Sequence, residues 1–240
     1  ALISLMWANN EVGTLQPIDQ VAAIAHEFGI PLHTDAVQAV GSLPVDFAAS
    51  GVDALSFTGH KLGGPYGVGG LVVRRELALV PLEHGGGQER NIRSGTLNTP
   101  AIAGFAAAVE WSVKQQADKA VRLSALRDEL VRRVQEVVPD ALYNGDPVDR
   151  LPGNAHLKFP GCQGDSLLML LDARGIECST GSACSATTPA GRRSAGCWTR
   201  GPPPTRTRRR RNRPTFPRTG RPTCRRSWSI RSPAAICCRP

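Results

Sequence analysis

Asp35, in "HTDAVQ", and Lys61, in "SFTGHK", are the two residues whose types and placement could do chemistry together. A lysine amine condenses with an aldehyde to form an imine, and partial desolvation favours its neutral, nucleophilic form. A carboxylate facing a pyridine nitrogen keeps that nitrogen protonated, which makes the ring an electron sink. Pyridoxal phosphate (PLP) needs both groups, from separate points of one fold. Both residues close or follow apolar runs, "IPLHTD" and "DALSFTGHK". In an open α/β sheet such strand ends meet at one crevice, where a ligand would sit.

The elements that must position them follow from the apolar pattern. Residues 2–8 read as a buried strand that ends at the polar turn Asn9-Asn10-Glu11. Pro17 suits a first helical turn, and Ile18, Val21, Ala22, Ile24, Ala25 and Phe28 form a helical stripe closed by Gly29. Residues 31–34, 54–58 and 70–73 are expected as further strands, and this alternation argues for an α/β core with a mostly parallel sheet. A long polar loop spans 84–100. A helix is then expected over 100–138, kinked near Gln115, with Leu123, Leu126, Leu130, Val134 and Val137 on one face. A smaller α/β unit follows, with a strand over 154–159, a helix over 165–174 ending at Gly175, and the small-residue loop "ECSTGSACSA". The expected division is a partial cofactor-binding large domain at 1–115, a partial small C-terminal domain at 116–186 and an Arg/Pro-rich tail at 187–240.

The formal net charge of +9 misleads, because all 20 acidic residues lie at or before Glu177. Residues 1–186 carry 14 basic and 20 acidic side chains, a net of −6, whereas the tail holds 15 arginines and no acid. The tail lacks any apolar period and cannot bury enough surface to offset its chain entropy, so it is expected to be disordered. Seven cysteines without a CxxC pair read as cytosolic thiols and a cytoplasmic protein, not a disulfide frame. Cys162 and Cys178 read as structural. No apolar run reaches membrane-spanning length, and no secretory signal pattern opens the chain. The glycines of 63–70 match neither a P-loop nor a dinucleotide fingerprint, and His33, Asp35 and His60 follow no metal-ligand spacing.

Five segments, "ANNEVGTLQPI", "HTDAVQ", "TGHKLGGPYGVGGL", "HGGGQERNIRSGT" and "STGSACS", together resemble the cysteine desulfurases of the NifS/IscS type, within the class V aminotransferases and the fold-type I PLP enzymes. The likeness covers residues 1–186, and five motifs in order are far more specific than any one of them. It implies conversion of L-cysteine to L-alanine, with sulfur passed to an enzyme cysteine. Iron–sulfur scaffolds and tRNA- or thio-cofactor-modifying proteins would be the acceptors.

The resemblance assigns Lys61 as the cofactor-bonding lysine and Asp35 as the partner of the ring nitrogen. It assigns Asn10 and Gln38 to the ring oxygen, with Asn10 also near substrate. Thr58, Gly59 and His60 would contact the phosphate, for which a hydroxyl, a peptide N–H and an imidazole are all able donors. Thr96, in "RSGT", would reach the phosphate of a partner subunit, which implies a homodimer. Arg93 is an anion-binding candidate or a surface arginine. Cys184, flanked by small polar residues that permit a mobile, accessible thiolate, would take the sulfur as a persulfide. It could also serve as a transient iron–sulfur ligand.

By residue type alone, Lys61 would be a solvated lysine, Asp35 a turn residue and Cys184 a small buried thiol. The chain opens inside a strand-like run and is expected to be a fragment, without the family's Gly-Thr phosphate loop and ring-stacking histidine. After Ala186 the family's carboxylate-gripping arginine is replaced by the tail, which suits a GC-rich gene translated in a shifted frame. The 240-residue chain is therefore expected to be a poor desulfurase and a poor folder. Two alternatives stand beside this. One is another fold-type I enzyme, a selenocysteine lyase or class V aminotransferase; the latter has no use for Cys184. The other is nucleic-acid binding by the arginine tail, which has few aromatics and no recognisable module.

Overall fold

The computed structural model describes residues 1–181 and the backbone of 234–236. Cys184, in the expected small domain, and the expected tail apart from 234–236 lie outside the described residues. The principal sheet begins with β1 (Ile3–Met6), β2 (Leu32–Asp35) and β3 (Ala54–Thr58), all parallel, and continues with β4 (Val68–Val73), which is antiparallel to β3. Residues Ala234–Ile236 (β7) add a parallel strand to the free edge of β4, so the sheet order is β1-β2-β3-β4-β7. Three residues of the expected tail thus take part in the sheet. "AAI" is an arginine-free apolar stretch, and a sheet edge offers unpaired backbone groups to such a segment.

Alternation along the strands separates two faces. Leu32, Thr34 and Leu55 are buried on the face covered by α1 (Ile18–Glu27), whose Ile18, Ala22 and Ala25 pack with Leu32 and Leu55. The opposite face presents Ser4, His33, Asp35 and Ser56. A polar line crosses it. Ser4 Oγ lies 2.8 Å from His33 Nδ1, and His33 Nε2 lies 3.1 Å from Ser56 Oγ. Burial lowers the His33 pKa below its ordinary value of 6.5, against the opposing pull of Asp35.

The long helix is divided as its sequence indicated. α2 (Thr99–Lys114) begins at Asn98, whose side chain accepts from Ala101 N, and α3 (Gln116–Val137) follows the break at Gln115. Phe105 of α2 packs beside Phe57 of β3, with ring centroids 5.1 Å apart, and with Leu62 and Val68. The buried stripe of α3 differs from the one expected. Val131 is buried, while Leu126, Leu130 and Val137 are more than half exposed. Arg127 lies on the inward side and donates to the carbonyls of Leu151 and Pro152. A charged residue on the packed face hides the true period from a reading of apolar types alone.

The segment after α3 carries a two-stranded antiparallel pair, β5 (Leu142–Tyr143) and β6 (Leu157–Lys158), and then α4 (Gly164–Asp172). Residues 1–181 cluster as one compact unit together with 234–236. Cys162 and Cys178 are both free and exposed, so neither fills the core as a structural thiol would.

Candidate active site

Parallel pairing brings the ends of β1, β2 and β3 to one edge of the sheet. Met6 is in register with Asp35, and Asp35 with Ser56, so Thr58 ends β3 two residues beyond the Asp35 level. The Asp35 side chain is exposed there. Its Oδ1 accepts from Val37 N at 2.9 Å, forming the turn that its residue type suggested and leaving Oδ2 free of that bond.

After Thr58 the chain enters a short 3-10 turn over Gly59–Leu62. Its inward residues, Gly59 and Leu62, are buried, while His60 and Lys61 face outward. A side chain at Gly59 would meet the Pro65 carbonyl at 2.9 Å and the Phe105 ring at 3.2 Å, so only glycine allows this turn to sit so low against α2. The antiparallel strand β4 returns directly from this turn. Lys61 is therefore held between two strands paired to each other. Thr58 Oγ1 lies 2.9 Å from His60 Nδ1 and also donates to the Val68 carbonyl at 3.3 Å. The His60 ring stacks on Tyr66, with centroids 6.0 Å apart. Lys61 makes no hydrogen bond or ion pair among the described residues.

Asn9 and Asn10 are neighbours with different tasks. Asn9 Oδ1 accepts from the backbone N–H groups of Glu11 and Val12, both at 2.9 Å, and so builds the turn. The Asn10 side chain instead lines a cavity of about 250 Å³, with Gln38, Ser42, Leu123, Leu151 and Asn154. Lys119 also borders this cavity, and nothing in its sequence context marked it. Asp35 and Lys61 stand outside it, on the open strand-end surface.

Thr96 is exposed in the loop before α2. Arg93 is less available for an external anion than its sequence suggested: its side chain is largely covered and lies 3.5 Å from the Glu83 carboxylate. The same loop holds Glu89, Arg90 and Asn91 at φ of 49, 58 and 63°, three successive left-handed non-glycine residues.

The sequence profile of the Aminotransferase class-V family matches residues 1–198. The chain belongs to that family. Its members depend on PLP, and the groups at the strand ends fit that cofactor: an amine without a partner among the described residues, a carboxylate with one oxygen outside its turn, and a hydroxyl beside an imidazole. The chain is 57% identical over 188 residues to an IscS-like cysteine desulfurase of Mycobacterium tuberculosis, covering 78% of this chain and 48% of that protein. It is 46% identical to the cysteine desulfurase NifS of Azotobacter vinelandii, covering 77% and 46%. Among solved structures, a NifS-like protein from Rickettsia africae superposes with a TM-score of 0.69 at 30% identity, covering 75% of this chain and 50% of that one. The chain spans about half the length of the curated relatives it matches. Among the described residues, no helix is long and apolar enough to cross a membrane.

Proposed function

We propose that this chain carries the lysine-bearing part of a PLP-dependent cysteine desulfurase, acting on L-cysteine in a homodimer and passing sulfur to an acceptor protein such as an iron–sulfur scaffold. The observation that carries the reading is the meeting of Asp35 and the Thr58–Lys61 turn at adjacent parallel strand ends, in a chain 57% identical to a desulfurase. When bound, PLP would supply an aldehyde carbon and an electron-withdrawing ring to stabilise charge on the substrate's carbon.

The chain's own residues would do the rest. Lys61 would supply the amine that holds the cofactor's aldehyde and would move a proton to and from substrate carbon. Asp35 holds the ring nitrogen's proton. Thr58, the Gly59 peptide N–H and His60 donate to the phosphate, and Gln38 and Asn10 to the ring oxygen. Thr96 would serve the partner subunit's phosphate. Cys184, outside the described residues, would attack the sulfur of the bound cysteine. The substrate's carbon–sulfur bond breaks, a sulfur–sulfur bond forms on Cys184, and the carbon gains a proton to give alanine. The exposed Lys61 side chain supports the first of these roles, because among the described residues it has no competing partner to leave.

Borohydride reduction of the chain with added PLP, followed by peptide mapping, tests the reading. The label is expected on Lys61. Label on Lys114 or Lys158, or none at all, would sink it.

A further inference from the structure

The geometry points to Arg150 as a positioning residue: its buried guanidinium, with Asn154, clasps the turn over residues 9–15 and so fixes where Asn10 stands. The role of Asn10 rests on the function proposed above; the clasp itself is read from the structure.

Arg150 is 3% exposed. Its Nη1 donates to the carbonyls of Asn144 and Asp146 at 3.1 and 3.0 Å. Its Nη2 donates to the Val12 carbonyl at 2.8 Å and to Asn154 Oδ1 at 3.3 Å. The guanidinium carbon sits 4.0 Å from the centre of the Tyr143 ring. A planar fork with four terminal N–H groups can serve four acceptors in one plane while stacked on a ring; an ammonium cannot. Asn154 completes the clasp by donating from Nδ2 to the Glu11 carbonyl at 2.9 Å. One side chain therefore holds the residue after Asn10, and the other holds the next one along.

The backbone repeats the same connection. Leu15 N donates to the Asp149 carbonyl at 2.9 Å, and Leu151 N to the Gly13 carbonyl at 2.8 Å. Asp146 N donates to Thr14 Oγ1 at 3.0 Å. Two glycines permit this approach. A side chain on Gly13 would lie 2.7 Å from Asn154 Oδ1, and one on Gly145 would lie 2.6 Å from Thr14 Oγ1; their φ values are 81 and 85°. Asn154 and Leu151 then line the same cavity as Asn10 and Gln38. The clasp thus ends at the cavity wall, directly beside the residue it would place.

Hydrogen–deuterium exchange on the full chain without cofactor tests the clasp. Arg150→Gln is expected to speed exchange at residues 11–15 by about tenfold or more, with the amides of Leu32, Val52 and Leu55 unchanged. Unchanged exchange at 11–15, or equal loss throughout the chain, would overturn the proposal. Asn154→Ala carries the same test if Arg150→Gln does not fold. A second arm measures PLP affinity in Asn10→Ala, Arg150→Gln and the double variant. If Arg150 acts through Asn10, the double variant is expected to bind as Asn10→Ala does; additive losses would overturn that link. If the unsubstituted chain binds no PLP, the proposed function falls, while the exchange result still decides the clasp.

Discussion

At the strand ends, Lys61 and Asp35, the side chains proposed to meet the cofactor, hold few bonds. Lys61 has none among the described residues, and the Asp35 carboxylate has one oxygen outside its turn. In the clasp the reverse holds: all four terminal N–H groups of Arg150 are accounted for, and two glycines bring the backbones into contact. The difference separates two ways of fixing a side chain. Lys61 and Asp35 are placed by their backbone, through parallel register and a tight turn, and the Lys61 amine and Asp35 Oδ2 make no hydrogen bond among the described residues. The supporting groups are placed by their own hydrogen bonds, and of the Arg150 guanidinium only the buried Nε–H is left without a partner among the described residues.

If that contrast is right, substitutions in the two regions should separate stability from chemistry. The largest effect is expected from Arg150→Ala, which leaves three backbone carbonyls without their donor in a covered site. A loss of about 3 kcal/mol in urea unfolding is expected, since one buried polar group left unpaired costs roughly 1–3 kcal/mol. Less than about 0.5 kcal/mol would mean that water replaces the guanidinium and that no clasp exists.

Gly13→Ala should come next. Its left-handed φ and the 2.7 Å approach to Asn154 both oppose a side chain, for a combined cost of about 2 kcal/mol. A neutral substitution, read by the thermal midpoint, would show that the turn can back away from Asn154 without penalty.

His33 lies between the two regions in character, being half-covered yet hydrogen-bonded. Its folded-state pKa is lowered by burial from 6.5, so the unfolded chain binds the proton more readily. Its contribution to stability is full above about pH 6.5 and declines as pH falls below that value. The pH dependence of unfolding between about pH 7 and pH 5 should therefore be flatter in His33→Gln than in the parent chain. Identical slopes would remove His33 from the account.

The smallest stability effect is expected from Lys61→Ala: less than about 0.5 kcal/mol, with complete loss of the borohydride-fixed cofactor. A destabilisation of about 2 kcal/mol would show that Lys61 is structural and that the contrast fails at its central residue.

Much of the fold could be read before any coordinates. The runs around Ile3–Met6, Leu32–Asp35 and Ala54–Thr58 are short and dense in β-forming residues, and the break at Gln115 interrupts an otherwise continuous helical pattern. The reversal of β4 was not legible, because an apolar run carries no mark of strand direction. The α3 stripe was misread where Arg127 takes an inward position. Within the site, motif resemblance singled out Asp35, Lys61 and their neighbours. The clasp was not legible. Arg150 and Val12 are far apart in sequence, and an isolated arginine or glycine carries no sign of a long-range partner. Lys119 was missed for the same reason, since only the packing of α3 brings it to the cavity edge.

The antiparallel return of β4 has a consequence for how this sequence can change in length. Thr58 pairs with Gly69 and Phe57 with Gly70, so both ends of the connection carrying Lys61 are locked in register. Inserting or deleting one residue there must either slip β4, turning every one of its side chains to the other face, or bulge the turn and re-aim the lysine. The stretch from β4 to α2 has no such lock at both ends and can gain or lose residues with little effect on the sheet. Length variation among natural or engineered versions of this chain should therefore collect after Val73 and be nearly absent between Thr58 and Val68.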